Sequence, residues 1–265
     1  MSWKPIFPEH AVERVRVVVT FSENVPGRLM STLAEKFDQK RSDLGFGPQT
    51  QLATASFAIG VNQGALLPIQ VPQGHAGWQF VREADTGLPV EAIVLNGNTL
   101  VYEMSEYSRW NLVLERFMDV CSEALLEIAG VVDAQSVVHD YFDRFVFSGA
   151  ANAAQPSELL VDELTGSLPD EVKSGHQLWH LHRGWWDGDG EGRLLINQNY
   201  DALDAETPDS ELVRSIQIYT KAEKRMVDKG LDLARISEHL NQMHSKCNDA
   251  VRWSLNATMR SMVGL

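Results

Sequence analysis

The sequence predicts an α+β fold built by internal duplication, each half comprising a strand, a helix, an antiparallel meander and a long helix. Phe21-Ser22 closes one strand-like run and Phe147-Ser148 another, and the same offset separates Cys121 from Cys247, each in the middle of a helical apolar stripe. Each Phe-Ser is followed by a proline that opens a helical segment, at Pro26 and Pro156. A Gly-His-x-x-Trp strand opener stands at Gly74, His75 and Trp78 and again at Gly175, His176 and Trp179. The expected organisation is one α+β repeat over 1–130 and a second over 131–265, packed as one composite domain. A sheet must cover its apolar face, so each half is expected to hold its long helix against a curved antiparallel sheet.

The β-branched run from Val12 to Phe21 reads as a strand, and Asn24-Val25-Pro26 ends it and starts a helix carrying Leu29, Met30, Leu33 and Phe37 at helical spacing. Gly45 and Gly47 close that helix, and a strand is expected over Thr54 to Ile59. Gly64, Pro68, Pro72 and Gly74 punctuate what reads as a long loop from Gly60 to Gly74. Trp78 and Phe80 then alternate with polar neighbours, and Val90–Leu95 meets Thr99–Met104 across Asn96-Gly97-Asn98, a strong hairpin signal. Trp110, Leu114, Phe117, Cys121, Leu125 and Ile128 recur every three or four residues until Gly130, which predicts the first long helix.

The second half follows the same plan. Val137–Phe147 is the opening strand, Pro156–Leu164 a short helix, and strands are expected near Gln177–Trp185, Arg193–Asn199 and Val213–Lys221. The acidic stretch from Asp201 to Glu211 reads as an inserted loop. Ile236, Leu240, Met243, Cys247, Val251, Leu255, Met259 and Met262 form one stripe, predicting a single helix from about Arg235 to Met262.

A net charge of −13 argues against a general nucleic-acid binder, which needs clustered Lys and Arg, and favours a basic protein partner or plain solubility. No apolar run reaches the length of a spanning helix, and Lys4, Pro5, Pro8, Glu9 and His10 do not form a secretory apolar core, so no membrane association and a cytoplasmic location are expected. Two cysteines on apolar stripes read as core residues of a reducing compartment.

His176, His180 and His182 stand at even spacing, so on a strand they share one face, and neutral imidazoles suit zinc or nickel. They lack a carboxylate or cysteine in ligand register, which makes a solvated histidine face the simpler account. Asp187, Asp189, Glu191 and Gly192 imitate the start of a calcium loop, but Gln198 stands where the bidentate Glu belongs, and Asp-Gly-Asp-Gly reads as a hairpin turn. Trp185 and Trp186 must point to opposite faces of a strand, leaving one exposed unless a further layer covers it. With Asp187 and Asp189 they are the candidate partner-binding residues. Arg14, Arg16, Asp140, Asp143 and Arg144 alternate along the two opening strands and could pair across the halves. No nucleophile elbow, phosphate-binding glycine loop or metalloprotease helix occurs, and no cofactor is implied.

The valine-rich strand ending in Phe21, the run Trp78, Phe80, Asp85 and Gly87 with Leu95 and Leu100, Tyr107 with Trp110 and Phe117, the element Tyr141, Asp143, Arg144 and Phe145, and Met243-His244 cover nearly the whole chain. Together they resemble a sporadically distributed family of uncharacterised prokaryotic proteins of similar length. The family's mid-chain strand reads closer to Leu-Arg-Tyr-Ile-Asn where this chain has His139-Asp140-Tyr141-Phe142-Asp143, and its final-helix aromatic is Val251 here. The resemblance implies patchily distributed genes of the kind found in defence and toxin–antitoxin cassettes, and no catalytic residues. The first functional expectation is therefore a non-enzymatic protein-interaction module, such as an antitoxin, immunity or sensor component, with homodimerisation covering open sheet edges. The alternative is a small-molecule-binding or metal-dependent enzyme with a cavity between helix and sheet, using the three histidines.

Overall fold

The computed structural model describes residues 2–53, 57–62, 65–70, 75–175, 177–188, 193–206, 212–226 and 232–265. The first part of the chain forms β1 (Trp3–Pro5), β2 (Val12–Phe21), α1 (Gly27–Lys40), β3 (Thr50–Ala53), β4 (Phe57–Asn62), β5 (Ala65–Gln70), β6 (His75–Glu83), β7 (Pro89–Asn96), β8 (Thr99–Met104) and α2 (Trp110–Ala129). The remainder forms β9 (Ala134–Phe147), the short α3 (Asp162–Thr165) and α4 (Asp170–Lys173), β10 (His180–Asp187), β11 (Leu194–Glu206), β12 (Leu212–Arg225), α5 (Leu233–Ser254) and α6 (Ala257–Met262). The fold is α+β, as the sequence predicts.

Among the described residues ten strands make one antiparallel sheet in the order β10-β11-β12-β9-β2-β8-β7-β6-β3, with β1 continuing the lane of β2 beside the end of β9. On either side of the central β2–β9 pair the last strand before a long helix comes next, then the middle strand of the meander, then its first: β8, β7, β6 on one flank and β12, β11, β10 on the other. Alternation decides which side of the sheet is covered. On β2, Val15, Val17, Val19 and Phe21 are buried in the main core with α1, α2 and α5, while Arg14, Arg16, Val18 and Thr20 point the other way. Burying each of these side chains contributes about 1.5–3 kcal/mol relative to exposure. Trp78 ties β6 to α1, its indole N–H donating to the Met30 carbonyl at 3.1 Å, and Phe37 of α1 packs on both Trp78 and Phe80. A second core beneath α5 and α6 gathers Trp3, Phe145, Phe147, Leu159, Leu160, Tyr200 and Leu255.

Several expectations need correction. The stretch read as a long loop after Gly60 holds a two-stranded hairpin, β4 with β5, in which Pro68 lies opposite Ile59. Both strands of an isolated hairpin are edges, where a proline's missing N–H is tolerated. Of the strand expected over Thr54–Ile59, Phe57–Ile59 opens β4, and residues 54–56 lie outside the described ones. The acidic stretch read as a loop from Asp201 stays in the sheet as far as Glu206, which pairs with Leu212, and residues 207–211 lie outside the described ones. The helix expected over Pro156–Leu164 is a 3₁₀ turn at Pro156–Glu158 followed by α3.

The final stripe is two helices. Leu255 leaves helical geometry and bridges to Leu160, and the Asn256 side chain caps α6 by accepting the Met259 N–H at 3.0 Å. Ser254 prepares the break by bonding back to the Ala250 carbonyl at 2.7 Å. Both cysteines are buried and free, as core residues would be.

Candidate functional site

One strand, β9, feeds both of the polar constellations at the centre of the molecule. From Ser136 onward its even positions point to the face on which none of α1, α2 and α5 packs, and its odd positions point inward.

On the helix-free face a row of directly paired residues alternates in charge: Lys221 of β12, Asp140 of β9, Arg16 of β2 and Glu103 of β8. Arg16 donates to Asp140 at 2.8 and 3.1 Å, and the Tyr219 hydroxyl adds a third bond to the same oxygen at 3.2 Å. Asp140 is buried all the same, and burial raises its carboxyl above the usual range against the opposing pull of Arg16. The expected pairing of charges across the two opening strands is therefore present at Arg16–Asp140 and, with Glu13 as the partner, at Arg144 (2.8 Å), while Arg14 pairs instead with Glu103 of β8 at 3.4 Å. A one-residue slip of the central pair would put Val15 or Val17 opposite Asp140 and His139 or Tyr141 opposite Arg16, so the ladder specifies register.

Two further rows flank it. Asn199, Tyr219, Phe142 and Arg14 lie side by side, the Phe142 and Tyr219 rings 4.8 Å apart and the Arg14 guanidinium 3.9 Å above Phe142. On the other side, Val138, Val18, Val101 and Val94 form a continuous apolar row over β9, β2, β8 and β7. Val18, Val101 and Val94 are partly exposed. At the end of these strands a groove of about 360 Å³ is lined by Glu13, Arg14, Glu103, Arg144 and Gln217.

Inside, His139, Tyr141 and Asp143 meet Tyr107, Trp110 and His244. The Trp110 ring stacks on His244 at 4.9 Å and touches His139 at 4.5 Å, and its N–H donates to Asn241 Oδ1 at 2.7 Å. Tyr141 Oη lies 2.8 Å from His244 Nδ1, and Asn248 Nδ2 lies 3.1 Å from His244 Nε2. With the Asn248 amide donating, a neutral imidazole must donate from Nδ1, so Tyr141 accepts from His244 and is free to donate to Tyr107. Burial favours the neutral form of each: His244 is pushed down to about 4 and His139 to about 3, a protonated His244 opposing its charge further, while Asp143 is raised to about 7. Neither ring nitrogen of His139 has a hydrogen-bond partner among the described residues. The result is a neutral hydrogen-bonded relay closed into the core.

Tyr107, Trp110, Tyr141, Asp143 and His244 thus converge from three separate segments. The sequence held the signal in the period of β9, since His139, Tyr141 and Asp143 share a face with Val137 and Phe145, which are buried.

The residues singled out as candidates lie at the far edge of the sheet. His180 and His182 share the helix-free face, His180 paired with Asp201 at 2.6 Å and His182 with Asn199. His176 lies outside the described residues, among which no group of three His, Cys, Asp or Glu side chains could hold a metal ion. Trp185 and Trp186 point to opposite faces. Trp186 is 46% exposed on the helix-free side. Trp185 and Asp187 line a hollow of about 320 Å³ against α5, with Arg183, Lys246 and Trp253. Arg183 stacks 3.9 Å from Trp253 and 4.9 Å from Trp185, and Lys246 pairs with Asp187 at 2.8 Å. Asp189 lies outside the described residues. No helix among the described residues is long and apolar enough to cross a membrane. No protein-family model matches the chain, and no curated protein matches it.

Proposed function

We propose that the chain is a non-enzymatic protein-interaction module whose helix-free sheet face is the binding surface. The observation that carries this is the valine row from Val138 to Val94, laid beside the Phe142–Tyr219 pair on a face that none of α1, α2 and α5 covers. A sheet face meant only for water alternates to polar residues, whereas contiguous apolar side chains there mark a contact surface. The alternating ladder beside it supplies directional charges that are already neutralised in pairs, so a partner is selected by shape and apolar contact at the centre. The net charge of −13 attracts a basic partner at longer range. Trp186 extends the surface to the β10 edge, while Trp185 and Asp187 serve the opposite side. The same strand order on both flanks of the β2–β9 pair supports reading 1–130 and 131–265 as two copies of one unit in a composite domain. Membership of a defence or toxin–antitoxin pair rests on the family resemblance alone.

Native mass spectrometry of the chain isolated from its own host at natural abundance, with its genomic neighbours intact, tests this reading. A stoichiometric protein companion is expected, and Val101→Glu is expected to weaken its binding at least tenfold, about 1.4 kcal/mol, while leaving the thermal midpoint within a few degrees of wild type. Retention of the companion by Val101→Glu at wild-type affinity would overturn the assignment of the face.

A further inference from the structure

We infer that β10 is the interface through which a second copy of this chain extends the sheet, by antiparallel pairing of the two β10 strands about a twofold axis at Gly184. Among the described residues β10 is the last strand on its side, with β11 as its only neighbour in the sheet, and its outer edge has no ladder partner. By contrast β3, at the other end, has four residues and a register shift against β6. Exposed indoles stand on both faces of the β10 edge. Trp186 is 46% exposed on the helix-free face, and Trp253, stacked over Arg183 on the helix face, is 45% exposed. Leu178, just before the strand, is 56% exposed. An edge flanked by apolar rings on each face gains from a strand laid between them.

The occupant follows from charge and register. The chain carries a net charge of −13, so most approaches between copies meet repulsion, yet the one arginine and one aspartate of β10 balance, and Lys246 beside Asp187 leaves this edge without the acidic excess of the rest of the chain. In a continuous sheet with both helix layers on the same side, residues opposite one another must point to the same face, so each possible axis runs through a residue. An axis at Arg183 sets guanidinium against guanidinium, a like-charge pair directly opposed. An axis at Trp185 leaves only residues 183–187 overlapping, and one at His182 only 180–184. Gly184 keeps 181–187 paired, puts no like charges opposite, and sets Arg183 against the other copy's Trp185 and His182 against its Trp186, a cation–π contact on one face and an aromatic pair on the other. Glycine at the axis lets the backbones approach where two side chains would meet.

The test is disulfide trapping in the full-length chain, read beside its native mass. Cys121 and Cys247 are buried, so new cysteines dominate. Wild type at micromolar concentration is expected at twice the 29.6 kDa chain mass. Gly184→Cys is expected to form an intermolecular disulfide on mild oxidation, residues directly opposite on antiparallel strands having Cβ atoms about 4.5–5.5 Å apart. A Cβ at Gly184 would come within 2.5 Å of the flexible Asn197 side chain, so a second pair that avoids this position is needed. His182→Cys co-expressed with Trp186→Cys should cross-link between the two variants, and neither should link with itself. A native mass of one chain overturns the proposal. So does a dimer in which neither cysteine arrangement links, or one that links through Trp185→Cys instead. Because Val101→Glu lies on β8 and Gly184→Cys on the β10 edge, loss of the companion protein and formation of the dimer are separately readable, and Trp186→Cys, which touches both surfaces, is read for its cross-link alone.

Discussion

Replacing Asp143 with Asn is expected to stabilise the protein by about 4 kcal/mol at pH 8 and by less than about 1 kcal/mol at pH 4. Asp143 is buried on the inward face of β9, and desolvation alone lifts its carboxyl from 3.8 to about 7. A folded-state pKa above the unfolded one means that the native state binds more protons between the two values. The stability this group allows is therefore full below about pH 4, falls as pH rises, and is lost once the native carboxyl ionises above about pH 7. Asparagine keeps the shape without the charge. Urea unfolding of both proteins across this range checks the point, because all other ionisations cancel in the difference. A variant-minus-wild-type gap that does not change with pH would show that Asp143 is solvated or partnered in solution.

The histidines of the same cluster act with the opposite sign. His139 and His244 are depressed from 6.5 to about 3 and about 4, so their contribution is present above pH 6.5 and is lost as pH falls through those values. Wild type combines a carboxylate that favours acid with two imidazoles that oppose it, which flattens its stability between pH 4 and 6.5. In Asp143→Asn that compensation is gone, and acid unfolding should be steeper than in wild type.

What the sequence revealed and what it concealed divide along the distance between interacting residues. The β7–β8 hairpin, α2 and the opening strands follow from local signals, because Asn96-Gly97 sets a turn and the Trp110 to Ile128 stripe sets a helix face within a few residues. The opposite facing of Trp185 and Trp186 follows from the period of a strand alone. The break after Ser254 does not, since the apolar stripe runs through it unchanged. It depends on Leu160 and Tyr200, each more than fifty residues away in sequence, which hold Leu255 and the Ser254 hydroxyl. The inner cluster was hidden for the same reason: Tyr107, Tyr141 and His244 carry meaning only once β9 lies between α2 and α5. The histidine series illustrates the converse, because even spacing placed His180 and His182 on one face correctly but could not show that Asp201 and Asn199 already engage them.

Truncating Glu91 to Ala is expected to cost about 3–5 kcal/mol. Strand alternation puts Glu91 on the same face as Ile93 and Leu95, and its side chain is fully buried there. Arg82 of β6 donates at 2.7 Å, Arg116 of α2 at 2.9 and 3.2 Å, and the Tyr102 hydroxyl of β8 at 2.9 Å, so one carboxylate links three strands and a helix. Removing it leaves two part-buried guanidinium groups facing each other and a buried hydroxyl without its acceptor, and that loss, more than the worth of the pair itself, sets the cost. The distinction is measurable. Glu91→Leu combined with Arg116→Met and Tyr102→Phe removes the buried polar groups together, while Arg82 retains Glu106 at 3.0 Å. Denaturant unfolding of this triple variant is expected to recover to within about 2 kcal/mol of wild type. If Glu91→Ala costs under about 1 kcal/mol, the carboxylate is not desolvated. If the triple variant stays as unstable as Glu91→Ala, the charges contribute net stability, and the linkage of α2 to β6, β7 and β8 depends on the ion pairs rather than on the apolar packing around them.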